Sequence, residues 1–324
     1  MSSGELLTQE QILSLVHVVF PGADIVSCRL FPGKHPNLNY DLRLSNPTVD
    51  RVLKIYVNPS VKRTPWKETH LLRMLTSETG VPVPRVLHFD DSSSFVPHPW
   101  ALHTHVPGQP LSVVIDTLDS WQLESIGYEM GRYLGHIHQI PLEEFGEFFV
   151  PDRFSRASEK AHVVATATQW LQECANKDLL PHEIADALGE HFLRTELLSR
   201  RQACLLHGDY TPDNTIVERG TTGYHVTGIL EFECAQGGSP EQDMSRLFNW
   251  GIEGLPTFQK GLLDGYSDFG ELVVRFWKRL RLYQAFTCLE LVSSMREKKK
   301  YELQECRQRI AGYLASQGHW SSKQ

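Results

Sequence analysis

A polar loop between two short apolar segments constrains the fold of this chain more than any other feature of its sequence. The loop and its flanks read LLHGDYTPDNTIV over residues 205–217, and a further apolar segment, GILEFE, covers residues 228–233. Short apolar runs bounded by Gly, Pro, Asp and Asn are typical of β-strands and their turns. We therefore expect Asp209, Asn214 and Glu231 to converge on one point.

An acid, an amide and a second acid at one point are the groups that transfer of a phosphoryl group to a hydroxyl requires. One carboxylate orients and deprotonates the acceptor hydroxyl, and two hard oxygen ligands hold magnesium on the nucleotide phosphates. Taken in chain order, this predicts Asp209 as the catalytic base and Asn214 and Glu231 as the metal ligands. The alternative is that the Gly-Asp pair is ordinary turn chemistry.

The full string resembles the catalytic loop of the aminoglycoside phosphotransferase and choline kinase family. In that family His-Gly-Asp is followed after four residues by Asn and, beyond a short hairpin, by a strand that ends in an acid. The resemblance implies an α+β, bilobal protein-kinase-like fold with a small antiparallel-sheet N-lobe and a larger, mainly helical C-lobe. It also implies a small-molecule kinase that uses Mg²⁺ and ATP or GTP, and it assigns His207 and Asp243 to support of the loop.

Glu231 departs from the family pattern, because the family normally has Asp at this position. The extra methylene moves the carboxylate by roughly 1.5 Å, whereas magnesium prefers near-ideal octahedral bonds. One alternative is a rearranged metal site, assisted by Glu233 on the same face of a continuing strand. The other is a protein that keeps the fold and binds nucleotide but catalyses weakly or not at all.

The N-terminal third carries a second signal of nucleotide binding. Residues 51–56 alternate like a half-buried strand that contains Lys54, and residues 66–75 have helical spacing and contain Glu68. A Lys on a strand paired with a Glu on the next helix aims an ammonium at nucleotide phosphates in kinases. Upstream, Gly33 and Asn37 lie in a segment that resembles the nucleotide loop of the family.

The change from strand patterns to long helical patterns places a domain boundary near residues 104–108. We expect a nucleotide-binding lobe at 1–103 and a lobe for catalysis and acceptor binding at 104–324. In kinase-like folds the connecting strand reads the nucleobase through backbone groups, so the resemblance assigns His103 and His105 to nucleotide binding. This backbone recognition leaves ATP and GTP equally compatible with the sequence.

Charge and apolar patterning exclude several partners. The net charge of −7 and the pI near 6.1 argue against a nucleic-acid or anionic-membrane surface. No apolar run approaches 18 residues, so no membrane span is expected. Residues 8–20 predict an amphipathic helix that begins with a capping box, rather than a targeting segment.

The six cysteines are scattered without a Cys-x-x-Cys pair, which is typical of reduced thiols and favours a cytoplasmic protein. We expect the partners to be a nucleoside triphosphate and a small hydroxyl-bearing substrate, such as an aminoglycoside-like antibiotic or an amino-alcohol metabolite. The sequence selects neither between these acceptors nor among oligomeric states.

Overall fold

The computed structural model describes residues 6–31, 37–57, 64–147, 158–200, 202–295 and 300–317. Its strands are β1 (Asp24–Leu30), β2 (Leu38–Ser45), β3 (Val49–Ile55), β4 (Val86–Asp90), β5 (Trp100–Thr104), β6 (Gln109–Pro110), β7 (Pro141–Leu142), β8 (Ala203–Leu206), β9 (Thr215–Gly220), β10 (Gly223–Ile229) and β11 (Gln236–Gly238). Its helices are α1 (Gln9–Val19), α2 (Thr64–Glu78), α3 (Leu111–Val114), α4 (Ser120–His138), α5 (Glu159–Asn176), α6 (His182–Arg194), α7 (Pro240–Trp250), α8 (Pro256–Ser267), α9 (Phe276–Ser294) and α10 (Lys300–Ser316).

The chain divides into two compact units. The first comprises the described residues of Met1–Val113 and Asp213–Glu233, and the second those of Val114–Pro212 and Cys234–Gln324. This division differs from the expected boundary at residues 103 and 104. The reason is strand pairing, because β6 pairs with β9 and β9 pairs with β10, which joins residues 104–113 and 213–233 to the N-terminal part.

The first unit is built on a five-stranded antiparallel sheet with the strand order β1-β2-β3-β5-β4. One face of the sheet is apolar and packs against α1, which buries Ile12, Leu15 and Val16. The predicted capping box at the start of α1 forms, with Thr8 and Gln11 bonding each other's backbone N–H. Burial of an apolar helix face on the sheet supplies most of the stability of such a small layer.

The second unit is mainly helical. α4 packs on α8 so closely that a Cβ on Gly131 would meet the backbone carbonyl of Leu262, and glycine is required for that approach. A separate apolar cluster joins α5, α6, α9 and α10. The short sheet β11-β8-β7 runs through this unit and carries the loop that follows Leu206. An antiparallel sheet in one unit and helices in the other confirm the predicted α+β class.

Cysteine burial and helix composition also bear on the sequence predictions. Cys174, Cys204, Cys288 and Cys306 are buried, and all six cysteines are free thiols. Most of the cysteine side chains are therefore shielded from solvent. Within the described parts of the chain, every helix is too short or too polar to traverse a lipid bilayer.

Candidate functional site

Lys54 is the centre of a charged cluster in the first unit. The residue lies in β3 and is 5% exposed. The ammonium Nζ is 3.0 Å from Glu68 Oε2, 3.1 Å from Glu231 Oε2 and 2.5 Å from Glu233 Oε1. β3 supplies the lysine, α2 supplies Glu68, and the segment after β10 supplies the other two acids. The structure thus brings Lys54 and Glu68 together, the pair that the sequence predicted, and adds Glu231 and Glu233 to them.

Glu68 is 2% exposed and has a second partner, since the Tyr56 hydroxyl donates to its Oε2 at 2.7 Å. Burial raises the pKa of Glu68, and the carboxylates of Glu233 and Glu231 raise it further against the opposing charge of Lys54. Burial alone would lower the pKa of Lys54, but its three acidic neighbours outweigh burial and raise it. The ammonium is therefore charged and Glu68 is a weaker acid than usual.

The cluster contains more acidic than basic groups. Oxygen atoms of Glu68, Glu231 and Glu233 all lie within 4.8 Å of one another, around one ammonium. The Asn37 amide donates a hydrogen bond to Glu233 Oε1, which places the predicted nucleotide-loop residue at the same point. Carboxylate oxygens at this spacing are the ligands that magnesium takes. The cluster can therefore accommodate a divalent cation.

The β9–β10 hairpin sets the position of the two predicted metal ligands. Leu230 N donates to Asn214 O at 2.9 Å, so Asn214 and Glu231 lie at the same end of the hairpin. Glu231 has a φ of 66°, a left-handed conformation that side chains longer than Asn and Asp rarely adopt. The backbone therefore turns at Glu231, which directs its long side chain to Lys54 rather than continuing the strand.

Sequence reasoning underestimated two residues of the cluster. Glu233, expected only to assist Glu231, makes the shortest contact with Lys54. Tyr56 was not expected in the site, although it lies two residues after Lys54 and strand alternation places both on one face. Of the other predicted nucleotide-binding residues, His105 is half-buried beyond β5, and Gly33 lies outside the described residues.

His103 lies in β5 on the same face as Lys54. The register pairs Val52 with His103 and Lys54 with Ala101, so the two side chains are diagonal neighbours. The ring is 4% exposed, and neither ring nitrogen has a hydrogen-bond partner among the described residues. Burial, with the nearby charges of Lys54 and Arg73, lowers the pKa of His103 to about 3. The ring is neutral, and its polar atoms are unsatisfied.

Replacing this ring tests the cost of its unsatisfied nitrogens. His103→Leu is expected to raise the free energy of unfolding at pH 7.5 by about 1–2 kcal/mol, because two buried polar atoms without partners disappear. His138→Leu is the matched control. His138 is also buried, but its ring contacts Tyr266 Oη at 3.1 Å and Asp243 Oδ2 at 3.2 Å. Its removal should cost about 3 kcal/mol. Urea unfolding of both variants measures the difference.

The same variant has a predicted pH dependence. The folded-state pKa of His103, about 3, lies below its unfolded value, so only the unfolded protein takes up a proton between these values. Wild-type stability at this position therefore falls as the pH drops below about 6.5. The advantage of His103→Leu should grow by about 1 kcal/mol between pH 7.5 and pH 5.5. An advantage that shrinks on acidification would contradict the buried, neutral assignment.

The predicted catalytic loop lies in the second unit, between β8 and the start of the hairpin. Gly208 has a φ of 81°, and a Cβ there would meet the Cys234 carbonyl, so the turn requires glycine. Asp243 holds the loop backbone by accepting from His207 N at 2.7 Å and Gly208 N at 2.9 Å. Burial opposes ionisation of Asp243, but hydrogen bonds from His138 and the Gly208 backbone help to lower its pKa.

Asp209 projects from this loop with a side chain that is 43% exposed. Its backbone N–H donates to His207 Nδ1 at 3.1 Å, and Arg246 Nη1 lies 4.0 Å from its Oδ1. Arg246 also donates to Glu290 Oε2 at 2.5 Å. An accessible carboxylate on a loop that is held by hydrogen bonds can accept a proton from an incoming hydroxyl.

Comparison with known proteins identifies relatives of this sequence and fold. Residues 27–277 match the model of the phosphotransferase enzyme family. Mouse (Mus musculus) acyl-CoA dehydrogenase family member 10 is 25% identical over 219 residues, a match that covers 64% of this chain and 20% of the mouse protein. The chain therefore spans about a fifth of the length of that relative.

Two solved structures illustrate the similarity in fold. ADP-bound aminoglycoside phosphotransferase APH(2'')-Ib has a TM-score of 0.67 and 17% identity, with 95% of this chain and 97% of that chain covered. The GDP complex of aminoglycoside 2'-phosphotransferase-IIIa has a TM-score of 0.69 and 15% identity, with coverages of 96% and 100%. The predicted kinase-like fold is confirmed.

Proposed function

Because the chain belongs to the phosphotransferase enzyme family and is, as predicted, a small-molecule kinase, we propose that it moves the γ-phosphoryl group of ATP or GTP to a hydroxyl group of a small molecule. The observation that carries this proposal is the buried Lys54–Glu68 ion pair, with the Nζ–Oε2 distance of 3.0 Å. A buried lysine fixed by a glutamate is the arrangement that presents an ammonium to nucleotide phosphates.

A divalent metal fits the donor set of the first unit. Glu231 and Glu233 offer hard carboxylate oxygens, and Asn214 lies at the same hairpin end as Glu231. The excess of acidic groups around Lys54 favours a cation at this point. Magnesium, when bound there, would neutralise charge on the nucleotide phosphates. We propose Asn214 and Glu231 as its ligands and Glu233 as a further carboxylate within reach.

The remaining chemistry is assigned to residues of the chain. Lys54 neutralises phosphate charge, and Glu68 and Tyr56 fix the lysine in place. Asp209 orients the acceptor hydroxyl and takes its proton late in the reaction. A bond forms between the acceptor oxygen and the γ-phosphorus, and the bond from that phosphorus to the β,γ-bridging oxygen breaks. The nucleoside diphosphate leaves with the electron pair.

We propose that the acceptor is a cationic small molecule, either an aminoglycoside-like antibiotic or an amino alcohol. The net charge of −7 favours a cation over an anion. One solved structure with a similar fold is a complex with GDP and kanamycin, and another is a complex with streptomycin and ATP. An aminoglycoside is thus the first class to test, followed by amino alcohols.

A second candidate is a nucleotide-binding protein with little catalytic activity on the same fold. The observation that favours it is the engagement of Lys54 by Glu231 and Glu233, at 3.1 and 2.5 Å, in addition to Glu68. These acids compete with phosphate for the ammonium. Lys54 can contact phosphate only after a metal ion that accompanies the nucleotide has bound the carboxylates of Glu231 and Glu233.

Two measurements separate the active kinase from the weakly catalytic alternative. Calorimetry measures the binding of ATP and of GTP, each with and without Mg²⁺, and a screen of acceptors measures phosphoryl transfer. An active kinase binds nucleotide more tightly with Mg²⁺ and adds one phosphoryl mass to a compound in a panel of aminoglycosides and amino alcohols. Binding without any mass shift or phosphate release supports the weakly catalytic alternative. Absence of nucleotide binding overturns both.

The unusual acid at position 231 gives a metal-specific prediction. Glu231→Asp shortens the ligand and better suits a left-handed backbone, so it is expected to support Mg²⁺-dependent turnover at least as well as wild type. The larger Mn²⁺ should favour wild type over the variant, which lowers the Mn²⁺/Mg²⁺ activity ratio on substitution. Turnover against metal concentration for both proteins measures this ratio.

Glu231→Ala is the companion variant and should lose roughly 10²-fold in turnover if Glu231 is a ligand. An alanine variant with wild-type turnover would remove Glu231 from the metal site. Loss of activity of Glu231→Asp in both metals would show instead that the site is adapted to the longer side chain.

A further inference from the structure

Helix α7 contacts the catalytic loop at two points, three residues apart on one helix face. Asp243 accepts hydrogen bonds from the backbone of His207 and Gly208, and Arg246 faces the side chain of Asp209. Residues at i and i+3 of a helix lie side by side. Helix α7 therefore presents the carboxylate of Asp243 to the loop backbone and the guanidinium of Arg246 to the loop carboxylate. The loop is held by both its main chain and its one predicted catalytic side chain.

Arg246 is itself fixed from the opposite side. Its guanidinium donates to Glu290 Oε2 at 2.5 Å from α9, and its side chain is 13% exposed. Its Nε has no partner among the described residues, which makes the arginine costly to bury. A largely buried arginine with an unsatisfied donor is poorly explained by stability alone. Its contact with the accessible Asp209 supplies a functional reason for its position.

The distance between the two side chains matters. Arg246 Nη1 and Asp209 Oδ1 are 4.0 Å apart, which is too long for a hydrogen bond between these atoms and short enough for a strong charge interaction. The guanidinium thus attracts the carboxylate without a hydrogen bond from Nη1 to Oδ1. Such an arrangement restrains the orientation of the Asp209 carboxylate.

We propose that Arg246, anchored by Glu290, is a positioning residue that orients the Asp209 carboxylate for phosphoryl transfer. This inference rests on the proposed function, in which Asp209 is the base. The charge acts on one catalytic side chain, so its loss should affect the transfer step more than nucleotide binding. It should have little effect when Asp209 is already absent.

Steady-state phosphate release from Mg-ATP, to water or to an acceptor found in the screen, tests the proposal with Arg246→Met and Arg246→Lys. Arg246→Met is expected to lower kcat by about 10- to 100-fold with KM for ATP within about threefold, because misplacing a catalytic group costs of this order. Arg246→Lys should restore part of kcat. In an Asp209→Ala background, Arg246→Met should lower the residual rate by less than about twofold.

Arg279→Met is the matched control, since Arg279 is a buried arginine of the same unit that pairs with Glu159 and Glu241. Its loss should lower the melting temperature and reduce activity by the same factor with or without Asp209. If Arg246→Met fails to fold, Glu290→Gln removes the negative charge of the anchor and should lower kcat by a smaller factor, again only when Asp209 is present.

Three results overturn the inference while wild type is active. The first is full kcat in Arg246→Met, and the second is the same fractional loss in both Asp209 backgrounds. The third is an unchanged kcat in both Arg246 variants and in Glu290→Gln. A wild-type protein that binds ATP but transfers phosphate to neither water nor any acceptor overturns the proposed function, and this inference with it. The two failures are therefore distinguishable from the wild-type rate.

Discussion

Asp209→Ala is expected to lower phosphoryl transfer by roughly 10²- to 10⁴-fold, which is the usual contribution of a positioned general base. Its affinity for ATP or GTP should change little, because the groups assigned to the phosphates, Lys54 and Glu68, lie in the other unit. Stability should also change little, since the side chain is 43% exposed. Turnover with a real acceptor, and calorimetry with Mg-ATP, measure the two effects.

Asp213→Ala provides the matched control for this variant. Asp213 is an exposed acid four residues further along the same segment. Its removal takes away the same charge without removing the predicted base, so turnover should stay within about threefold of wild type. If Asp209→Ala keeps more than about a tenth of wild-type turnover, or if Asp213→Ala loses as much, Asp209 is not the base.

The parts of the site that the sequence predicted are those encoded by short local patterns. The Lys54 strand and the Glu68 helix were visible as alternation and helical spacing, and the two residues are in contact. The HGD loop and the hairpin after it were visible as apolar runs around turn residues. Local patterns of this kind survive folding because the sheet and helix faces that they define must be buried.

The parts that the sequence did not reveal depend on contacts between distant segments. Arg246 reaches the loop from α7 and is anchored by Glu290 of α9, and nothing in the spacing of those helices distinguishes the two from ordinary charged residues. The turn at Glu231, with its φ of 66°, bends the chain where a continuing strand was one alternative. The pairing of β6 with β9 likewise joins segments that a boundary drawn along the sequence had separated.

The surroundings of His103 are another feature that the sequence did not reveal. The sequence assigned it to a connecting strand in which side-chain identity mattered little. The structure instead buries its ring beside Lys54, with both nitrogens unsatisfied among the described residues. Strand alternation alone places a side chain on a face, but only the burial of the ring and the nearby charges of Lys54 and Arg73 determine that a histidine there stays neutral.

Lys54→Ala and Glu68→Ala are each expected to lower turnover by roughly 10²-fold, because loss of one charged group at the phosphates costs of this order. The double variant should be only slightly worse than Lys54→Ala. The reason is geometric, since Glu68 contacts Lys54 Nζ at 3.0 Å and has no role in phosphate binding without it. Tyr56→Phe is the mild control, because it removes only the 2.7 Å hydrogen bond to Glu68.

The stability of these variants supplies an independent test of the same pair. The folded-state pKa of Glu68 is raised above its ordinary value. Burial of Glu68 therefore lowers the free energy of unfolding least at low pH and more as the pH rises through that pKa. Removing the Lys54 charge raises this pKa further, so the stability deficit of Lys54→Ala should be larger at pH 8 than at pH 5.5. In Lys54→Ala/Glu68→Ala that pH-dependent part should shrink, because the buried acid is gone. Urea unfolding of the four proteins at both pH values measures it. Multiplicative losses in turnover together with a pH-independent deficit would show that the two side chains do not act as a pair.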